Sequence, residues 1–539
     1  MTLFGIALRS HRTGASAIAL MAILTGALNA VAYGELAGTT EAARQAFAQQ
    51  MTVLGKQLSY LLPEPVQLET MAGYLTWRAF GAAGLVFAIW ATLAATGLGR
   101  GDEERGLTEH WLASGVSRAR WLLTRAAGYA LASLAVTALT VIATAAAAAA
   151  VGDPLPAGPL ALEALLLWGL CLASFGIGLA VAQLVVTRRA AGSLAAIAIV
   201  GLFVLNSAGR SGLDTGAVRA LSPFALFERS APLLRDAPFD APATAMLFAT
   251  GLLLTLASVL AFTRRDVGGA LLGRAARRTV ATSAPSRDPL LRLPVLALID
   301  QQRWAIAGWS VGISTLAYFM TSIARAIVES VSTIPTMRVY FERLGIAAYS
   351  DFVGVIWFGT ALFLLSGLVV TQVSAWAADD AEGRLETVLA AGASRTRVVL
   401  ERIAALLAGA GAVAATSSLV VYLAAGALDI AVDRGRMVLA TGLLLPVVYA
   451  LAGIGHALVA WRPRTAVIVV GAIAVVSYFI QQFAPIFDTP AWVGRLSIYT
   501  LYGTPMSKDE WGGAATLVAM GTTATILAVL AMRRRDVGA

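Results

Sequence analysis

Apolar runs long enough to cross a lipid bilayer recur along the whole chain, with short polar segments between them. A helix of about 20 residues crosses a hydrocarbon core of about 30 Å. The runs are 14–34, 73–99, 124–150, 158–186, 191–207, 242–263, 305–326, 352–377, 401–426, 437–460, 465–482 and 512–532. They lack the alternation of barrel strands, and a helix satisfies its own backbone hydrogen bonds in lipid. The pattern predicts an all-α polytopic membrane protein with twelve transmembrane helices.

Composition and charge agree with a membrane location. The 539 residues are 58% hydrophobic and 13% charged, against about a quarter charged in soluble domains. The net charge of +9 comes from arginines that cluster beside span ends, where topology and anionic headgroups explain them better than nucleic acid does. Cys171 is the only cysteine and the three histidines are scattered, which excludes a disulfide within the chain and a cysteine-based metal site.

The arginine clusters also predict the orientation. They precede the first span and follow the second, fourth and sixth spans, and the second half of the chain repeats this distribution. Short cytoplasmic loops retain an excess of Lys and Arg. We therefore expect both termini to be cytoplasmic in a multi-pass protein of a bacterial inner membrane. The first span lacks a convincing cleavage site and is expected to be retained.

An internal repeat divides the chain in two. Residues 102–120 align without gaps on 379–397 at an offset of 277, and the same offset carries Gly176-Ile-Gly178 onto Gly453-Ile-Gly455. The sequence Arg-Arg-Asp-Val-Gly at 264–268 returns at 534–538. We predict a first six-span half at 1–265, a cytoplasmic linker at 266–300 and a second half at 301–539. An even number of spans makes the halves parallel repeats, which would meet at a pseudo-twofold seam.

The polar segment after the second span of each half predicts a short amphipathic cytoplasmic helix. Leu107, Trp111 and Leu112 recur at helical spacing, and Leu385, Val388 and Leu389 do the same in the second copy. Gly115 and Gly392 are expected to end the helices, and Ser117 and Ser394 to cap the next ones. A single copy could equally be a surface connector, but the repetition of particular residues favours two docking helices for a twofold partner.

The pattern Glu-x-x-Leu-Ala-x-Gly-x-Ser-Arg resembles the coupling helix of type-2 ABC exporter permeases, and the repeated Arg-Arg-Asp-Val-Gly strengthens the likeness. The fused twelve-span form resembles actinobacterial multidrug exporters of polyketide antibiotics, the tetronasin type. The resemblance implies export of hydrophobic drug-like compounds, powered by two copies of a separate ATPase subunit that binds ATP and Mg. It implies that the residues in contact with that dimer are Glu109, Leu112, Gly115, Ser117, Arg118, Glu386, Leu389, Gly392, Ser394 and Arg395.

The chain is not predicted to be an enzyme by itself. It has no phosphate-binding loop, and the nearest candidate, Gly55-Lys56-Gln57, lacks the preceding glycine and the hydroxyl residue that would bind magnesium. The main alternative is a proton-coupled secondary multidrug transporter of the major facilitator type, which also has two six-span halves. Such carriers bury titratable groups in mid-span, and few are found here. A membrane enzyme or sensor without transport is a third class.

If substrate passes along the seam, the resemblance implies a cavity lined by the second and fifth spans of each half. The candidates are Phe80, Phe87, Trp90, Asn206, Trp357, Phe358, Phe363 and Tyr478. Such aromatic residues also commonly pack against lipid or neighbouring helices. Outside the membrane, 40–62 predicts an amphipathic helix, ended by Pro63-Glu64-Pro65, that either rests on headgroups or covers the exit. Segments 221–224 and 496–499 predict a related re-entry before the last span of each half.

Overall fold

The computed structural model describes residues 3–57, 62–210, 212, 214–272, 288–322, 324, 351, 353–487, 489–506, 508 and 511–535, without the side chains of 53, 54, 217 and 464. These residues are helical and contain no strand, which confirms the predicted all-α class. The chain forms two compact units, Met1–Ala281 and Thr282–Ala539.

The first unit is built on long helices joined by short ones. Its helices are α1 (Leu3–Ala37), α2 (Glu41–Gln57), α3 (Met71–Leu75), α4 (Gly81–Thr96), α5 (Asp102–Glu104), α6 (Leu107–Ala113), α7 (Arg118–Ala150), α8 (Ala157–Leu184), α9 (Arg188–Arg210), α10 (Pro223–Glu228) and α11 (Ala241–Arg264). Two π-helical turns, Thr76–Phe80 and Gly97–Gly101, join α3, α4 and α5 into one run, and a 3-10 turn, Gly216–Leu221, precedes α10.

Among the residues described, the second unit repeats the order of the long helices. Its helices are α12 (Pro294–Ser322), α13 (Phe358–Ala381), α14 (Arg384–Ala390), α15 (Arg395–Ala427), α16 (Arg434–Trp461), α17 (Pro463–Phe483), α18 (Ala491–Gly494) and α19 (Trp511–Arg534). A π-helical turn, Val353–Trp357, precedes α13, and 3-10 turns occur at Pro289–Arg292 and Ile498–Leu501. Helix α12 begins inside the predicted linker 266–300, of which 273–287 lie outside the described residues.

Among the residues described, eleven helical segments are long and apolar enough to span a membrane. They are Leu3–Ala37, Met71–Glu104, Arg118–Ala150, Ala157–Leu184, Arg188–Arg210, Ala241–Arg264, Val353–Ala381, Arg395–Ala427, Arg434–Trp461, Thr465–Phe483 and Trp511–Arg534. The remaining predicted span, 305–326, falls on α12, whose apolar stretch is interrupted by Gly308, Ser310, Gly312 and Ser314. Except for Ala324, its part beyond Ser322 lies outside the described residues. The twelve-span form stays a prediction.

The same helix pairs pack together in each unit. In the first, α1 packs along α7, α8 contacts α4 and α11, and α9 contacts α4; in the second, α12 packs along α15, α16 contacts α13 and α19, and α17 contacts α13. A Cβ atom on Gly176 would lie 2.9 Å from the Gly251 carbonyl oxygen, and one on Gly453 would lie 2.7 Å from that of Gly521. The repeated glycines thus permit close approach of α8 to α11 and of α16 to α19.

Candidate functional site

The two predicted docking helices are present as α6 and α14, seven residues each. Each begins after a left-handed glycine, Gly106 or Gly383, with φ +71° and +70°. Gly115 and Gly392, with φ +87° and +90°, follow them as predicted. A left-handed backbone conformation strongly favours glycine, so these four residues suit the turns that begin and end each short helix.

The predicted serine caps are also confirmed. Ser117 Oγ accepts a hydrogen bond from the Arg120 backbone N–H at 3.3 Å, and Ser394 Oγ accepts one from Arg397 N–H at 3.2 Å. A hydroxyl at this position satisfies one of the free N–H groups at the start of a helix. The starts of α7 and α15 are thereby fixed next to α6 and α14.

The predicted apolar positions of these helices differ in how far they are buried in their own unit. The buried position is Thr108 in α6 and Leu385 in α14, which are equivalent at the offset of 277. Leu107 is 42% exposed and Val388 is 45% exposed, so both point away from their unit. A seven-residue helix has two turns, and its entry angle after the left-handed glycine decides which position faces inward. Spacing alone therefore did not identify it.

The other predicted contact residues lie on or beside the accessible side. Glu109 and Glu386 are exposed, and Leu112 and Leu389 are half-buried. Trp111 stacks on Trp121 of α7 with ring centroids 6.0 Å apart, which holds α6 against the next span. Each helix thus exposes one acidic and one aliphatic residue, while its buried position faces its own unit.

A buried ionic network joins α5 to α7 and to the end of α11. Asp102 pairs with Arg125 of α7. Glu103 pairs with both terminal nitrogens of Arg265, accepts from Arg100 at 3.1 Å and accepts from the Gly268 backbone N–H at 2.9 Å. Charges removed from water in this way are stable only when they are paired and hydrogen-bonded, so the network resists separation of these elements.

The second unit repeats the two ion pairs. Asp379 accepts from Arg402 at 2.7 Å, and Asp380 accepts from Arg535 at 2.8 Å. The first pair matches Asp102 and Arg125 at the offset of 277, and the second matches Glu103 and Arg265. Sequence reasoning missed these contacts. The sequence does contain a signal for them, because both halves repeat two adjacent acidic residues and the sequence Arg-Arg-Asp. Two distant segments that are both repeated are candidates for contact with each other.

Arg118 and Arg395, predicted to contact a partner, make bonds within their own units. Arg118 donates to the carbonyl oxygens of Thr263 and Arg265, at 3.4 and 2.6 Å. Arg395 donates to the carbonyls of Met532, Arg533 and Arg535, at 2.8, 3.2 and 2.6 Å. These carbonyls belong to the last turns of α11 and α19, where a helix leaves acceptors unpaired. Both arginines therefore position α6 and α14 relative to the last long helix of the unit.

The surface of α14 carries one further ion cluster. Arg384 donates to Asp379 at 2.8 Å and contacts Glu382. The hydrogen bond to Asp379, helped by both carboxylates, raises the pKa of Arg384. The equivalent position in α6 is Leu107, so the two helices present different chemistry at their first residue.

The family of the chain follows from a comparison with known families. The family described as Multidrug efflux system permease Rv1217c, C-terminal domain, matches residues 1–263 and 291–533, one stretch in each unit. The chain belongs to this family. It is therefore a multi-pass membrane permease, a transporter rather than an enzyme. The comparison with curated proteins found no match.

The permease buries most of its predicted substrate-path residues inside its own units. Phe80, Phe87, Trp90, Asn206, Trp357 and Phe358 are buried, and Phe363 and Tyr478 are half-buried with ring centroids 4.5 Å apart. Trp90 packs on Tyr129 at 5.2 Å. Of the eight, Phe358 lines a cavity of about 300 Å³ within the second unit. A role of these residues in a path between the halves stays a prediction.

The predicted amphipathic helix at 40–62 is present in part, as α2 (Glu41–Gln57). Helix α2 buries Phe47 and Met51, and Phe47 contacts Tyr33 and Tyr74. Residues 58–61, which belong to the predicted external helix, lie outside the described residues.

The segments before the last long helices fold back onto α9 and α17. Ser222 donates to the Leu202 carbonyl at 3.0 Å, and Ser497 donates to the Ser477 carbonyl at 3.0 Å. The permease therefore makes the same bond in each unit, at an offset of 275.

Beside this bond, the first unit holds a polar cluster. Arg210 pairs with Glu228 at 2.7 Å, and Arg219 donates to Asn206 Oδ1 at 3.1 Å. Burial raises the pKa of Glu228, while Arg210 acts in the opposite direction. Groups of three or more His, Cys, Asp or Glu able to hold a metal are absent from the part of the permease that the structure describes.

Proposed function

We propose that this permease is the transmembrane part of an ATP-driven ABC exporter in a bacterial inner membrane, with both termini in the cytoplasm. Two copies of a separate ATPase subunit dock on α6 and α14, and bind the ATP and Mg that the transport cycle uses. The observation that carries the proposal is the pair of short helices between left-handed glycines, each preceded by a segment that equivalent ion pairs connect to its own unit.

The ion pairs would transmit a force applied at α6 to the long helices of the first unit. Asp102 and Glu103 connect the segment before α6 to α7 and to the end of α11, and Arg118 connects the start of α7 to the same end. Separating a buried pair leaves an uncompensated charge and costs about 3–5 kcal/mol. A force applied at α6 therefore moves α4, α7 and α11 together. The equivalent bonds in the second unit make α13, α15 and α19 respond in the same way.

The accessible side of the helices suits a protein partner. Glu109 and Glu386 are exposed, and so are Leu107 and Val388, which lie two positions away in the same helices. Interfaces between proteins combine an apolar centre with a polar rim that sets orientation. We therefore expect each ATPase copy to offer an apolar groove with a basic residue at its edge.

The proposed substrates are hydrophobic drug-like or polyketide antibiotic compounds that leave the cell. The candidate path residues Phe87, Trp90 and Phe358 are aromatic, and pockets for such compounds are mainly apolar with few polar groups. The proposed path runs along the second and fifth spans of each half.

The test uses inverted inner-membrane vesicles that contain the permease and the ATPase subunit encoded beside it. The double variant Glu109→Lys and Glu386→Lys should lower copurification and ATP-driven uptake of a lipophilic dye at least roughly tenfold, because opposed like charges cost several kcal/mol at an interface. Glu41→Lys, an exposed glutamate in α2, is the matched control and should leave both unchanged.

Two results would contradict the proposal. One is full ATP-driven uptake by the Glu109/Glu386 double variant. The other is uptake that persists without the ATPase subunit and collapses with the proton gradient, which would assign the permease to the proton-coupled transporters.

A further inference from the structure

The second unit contains a cavity of about 300 Å³ at the end of α13 that lies away from α14. It lies between the start of α13, the end of α17 and the turn at Ile498–Leu501. Its wall includes Phe358, Gly359, Gln481, Tyr499, Tyr502 and Met506. The volume is at the lower end of the range found for small-molecule sites, and the wall is mostly apolar, as such sites are.

The equivalent positions in the first unit can be assigned from the structure. The π-helical turns Thr76–Phe80 and Val353–Trp357 match at an offset of 277. The bonds from Ser222 and Ser497 to their neighbouring helices match at an offset of 275. At these offsets, four wall residues of the second unit are Gly354, Pro485, Gly494 and Gly503, and their counterparts are Trp77, Arg210, Arg219 and Glu228.

The first unit uses these positions for large side chains that contact one another or their surroundings. Trp77 is buried against Tyr74, and Arg210 pairs with Glu228. Arg219 donates to Asn206. In the second unit, the same four positions carry three glycines and a proline, which have little or no side chain to occupy that space.

Gln481 replaces Asn206 and is left without the arginine that its counterpart bonds. Asn206 Oδ1 accepts from Arg219, whereas the residue equivalent to Arg219 is Gly494. Gln481 Oε1 is buried and has no hydrogen-bond partner among the described residues. A buried acceptor without a partner is unfavourable, and a ligand that donates a hydrogen bond to it would remove that cost.

The other polar groups of the wall are already used. The Tyr499 hydroxyl donates to Ser366 Oγ at 2.8 Å, and the Tyr502 hydroxyl donates to the Ala440 carbonyl at 3.0 Å. Asp351, which also borders the cavity, interacts within the chain. The geometry therefore favours a neutral ligand over a cation, with one polar contact at Gln481.

We propose that this cavity binds a neutral, mainly apolar molecule that donates a hydrogen bond to Gln481 Oε1. The site belongs to the second unit, and the first unit has replaced its equivalent with an ion cluster. This deepens the proposed function and rests on it, because it assigns the exporter a binding position for its hydrophobic substrate within one half.

The test measures binding by the purified full-length permease in lipid nanodiscs, without ATPase subunit or nucleotide. The probe is N-phenyl-1-naphthylamine, a neutral aromatic compound with one N–H group that fluoresces in apolar surroundings. We expect saturable binding of one probe per chain above the signal of empty nanodiscs. Gln481→Leu should weaken it about fivefold, the effect of one neutral hydrogen bond.

Variants whose new side chain fills the cavity test more directly whether the probe binds there. Gly359→Leu should weaken binding at least tenfold, since a Cβ atom there lies 3.5 Å from Gln481 Nε2 without a clash and the longer side chain extends into the cavity. Ala82→Leu is the matched control at the equivalent position of the first unit and should not change binding.

The absence of saturable binding would overturn the assignment, as would equal affinities of the wild type, Gly359→Leu and Gln481→Leu. A loss in Ala82→Leu as large as in Gly359→Leu would do the same. The assay needs no ATP, so its failure is distinct from failure of the proposed function. If the permease binds the probe but the ATPase subunit does not drive transport, only the proposed export mechanism is contradicted.

Discussion

Replacing Glu103 by glutamine should destabilise the permease more than the equivalent change in its second half. The Glu103 side chain is 4% exposed and faces Arg100 and Arg265, which are both buried. Glu103→Gln keeps the shape of the side chain but leaves the two guanidinium groups without their counter-charge. Loss of one partner of a buried pair costs about 3–5 kcal/mol.

The expected value is at the lower end of that range. Arg265 keeps the Gln183 side-chain oxygen at 2.9 Å and the Gly269 carbonyl at 2.9 Å as acceptors, and Arg100 keeps the Ala182 carbonyl at 2.6 Å. These neutral acceptors compensate part of the loss. We therefore expect Glu103→Gln to lower the free energy of unfolding by about 3 kcal/mol.

The matched variant is Asp380→Asn. Asp380 faces Arg535, whose side chain is 27% exposed and can turn to water after the substitution. A single hydrogen bond between charged groups contributes about 1.5–3 kcal/mol, and the access to water places the expected loss near about 1.5 kcal/mol. The difference between the two variants, rather than either value alone, tests the effect of burial.

The assay is unfolding of the purified permease in mixed micelles by increasing sodium dodecyl sulfate, followed by tryptophan fluorescence. Glu103→Asp, which keeps the charge, is the control and should lose less stability than Glu103→Gln. Equal losses for Glu103→Gln and Asp380→Asn, or no loss for Glu103→Gln, would refute the argument that burial makes this carboxylate essential.

Two further changes test the local geometry. Gly115→Ala and Gly392→Ala should each cost about 1–2 kcal/mol in the same unfolding assay, because φ near +90° is strained for alanine. A Cβ atom would meet nothing within 4 Å at either site, so the cost would come from the backbone conformation alone. Unchanged stability would contradict this argument. Ser222→Ala and Ser497→Ala should each cost about 1 kcal/mol for the lost buried hydrogen bond, and a loss at one position alone would contradict the equivalence of the two bonds.

Much of the fold could be predicted because lipid limits a spanning chain to few structures. Apolar length identified the long helices, and the repeat predicted that the same elements would recur in each half. The glycines at 115 and 392 and the serines at 117 and 394 have local roles that depend on backbone conformation and capping, and the structure confirms them. Such features need no knowledge of distant contacts.

What could not be predicted depends on contacts between distant residues. Arg118 and Arg395 were assigned to a partner because of their place in a motif, yet their side chains bind the ends of α11 and α19. Thr108 is the buried position of α6 although the apolar spacing does not include it, because contacts with distant residues orient the short helix. The cavity beside Gln481 arises from residues on three separate segments, and its presence in the second unit reflects four substitutions that no single motif contains.

The covalent fusion of the two halves has an evolutionary consequence. A transporter assembled from two identical six-span subunits must carry any change twice, so a glycine that opens a cavity or an arginine that fills it appears in both copies. In one polypeptide the copies are free to diverge. The helices α6 and α14 and their ion pairs retained the duplicated arrangement, whereas Gly354, Gly494 and Gly503 differ from Trp77, Arg219 and Glu228. Duplication within one polypeptide thus leaves each half free to specialise while the elements around α6 and α14 stay equivalent.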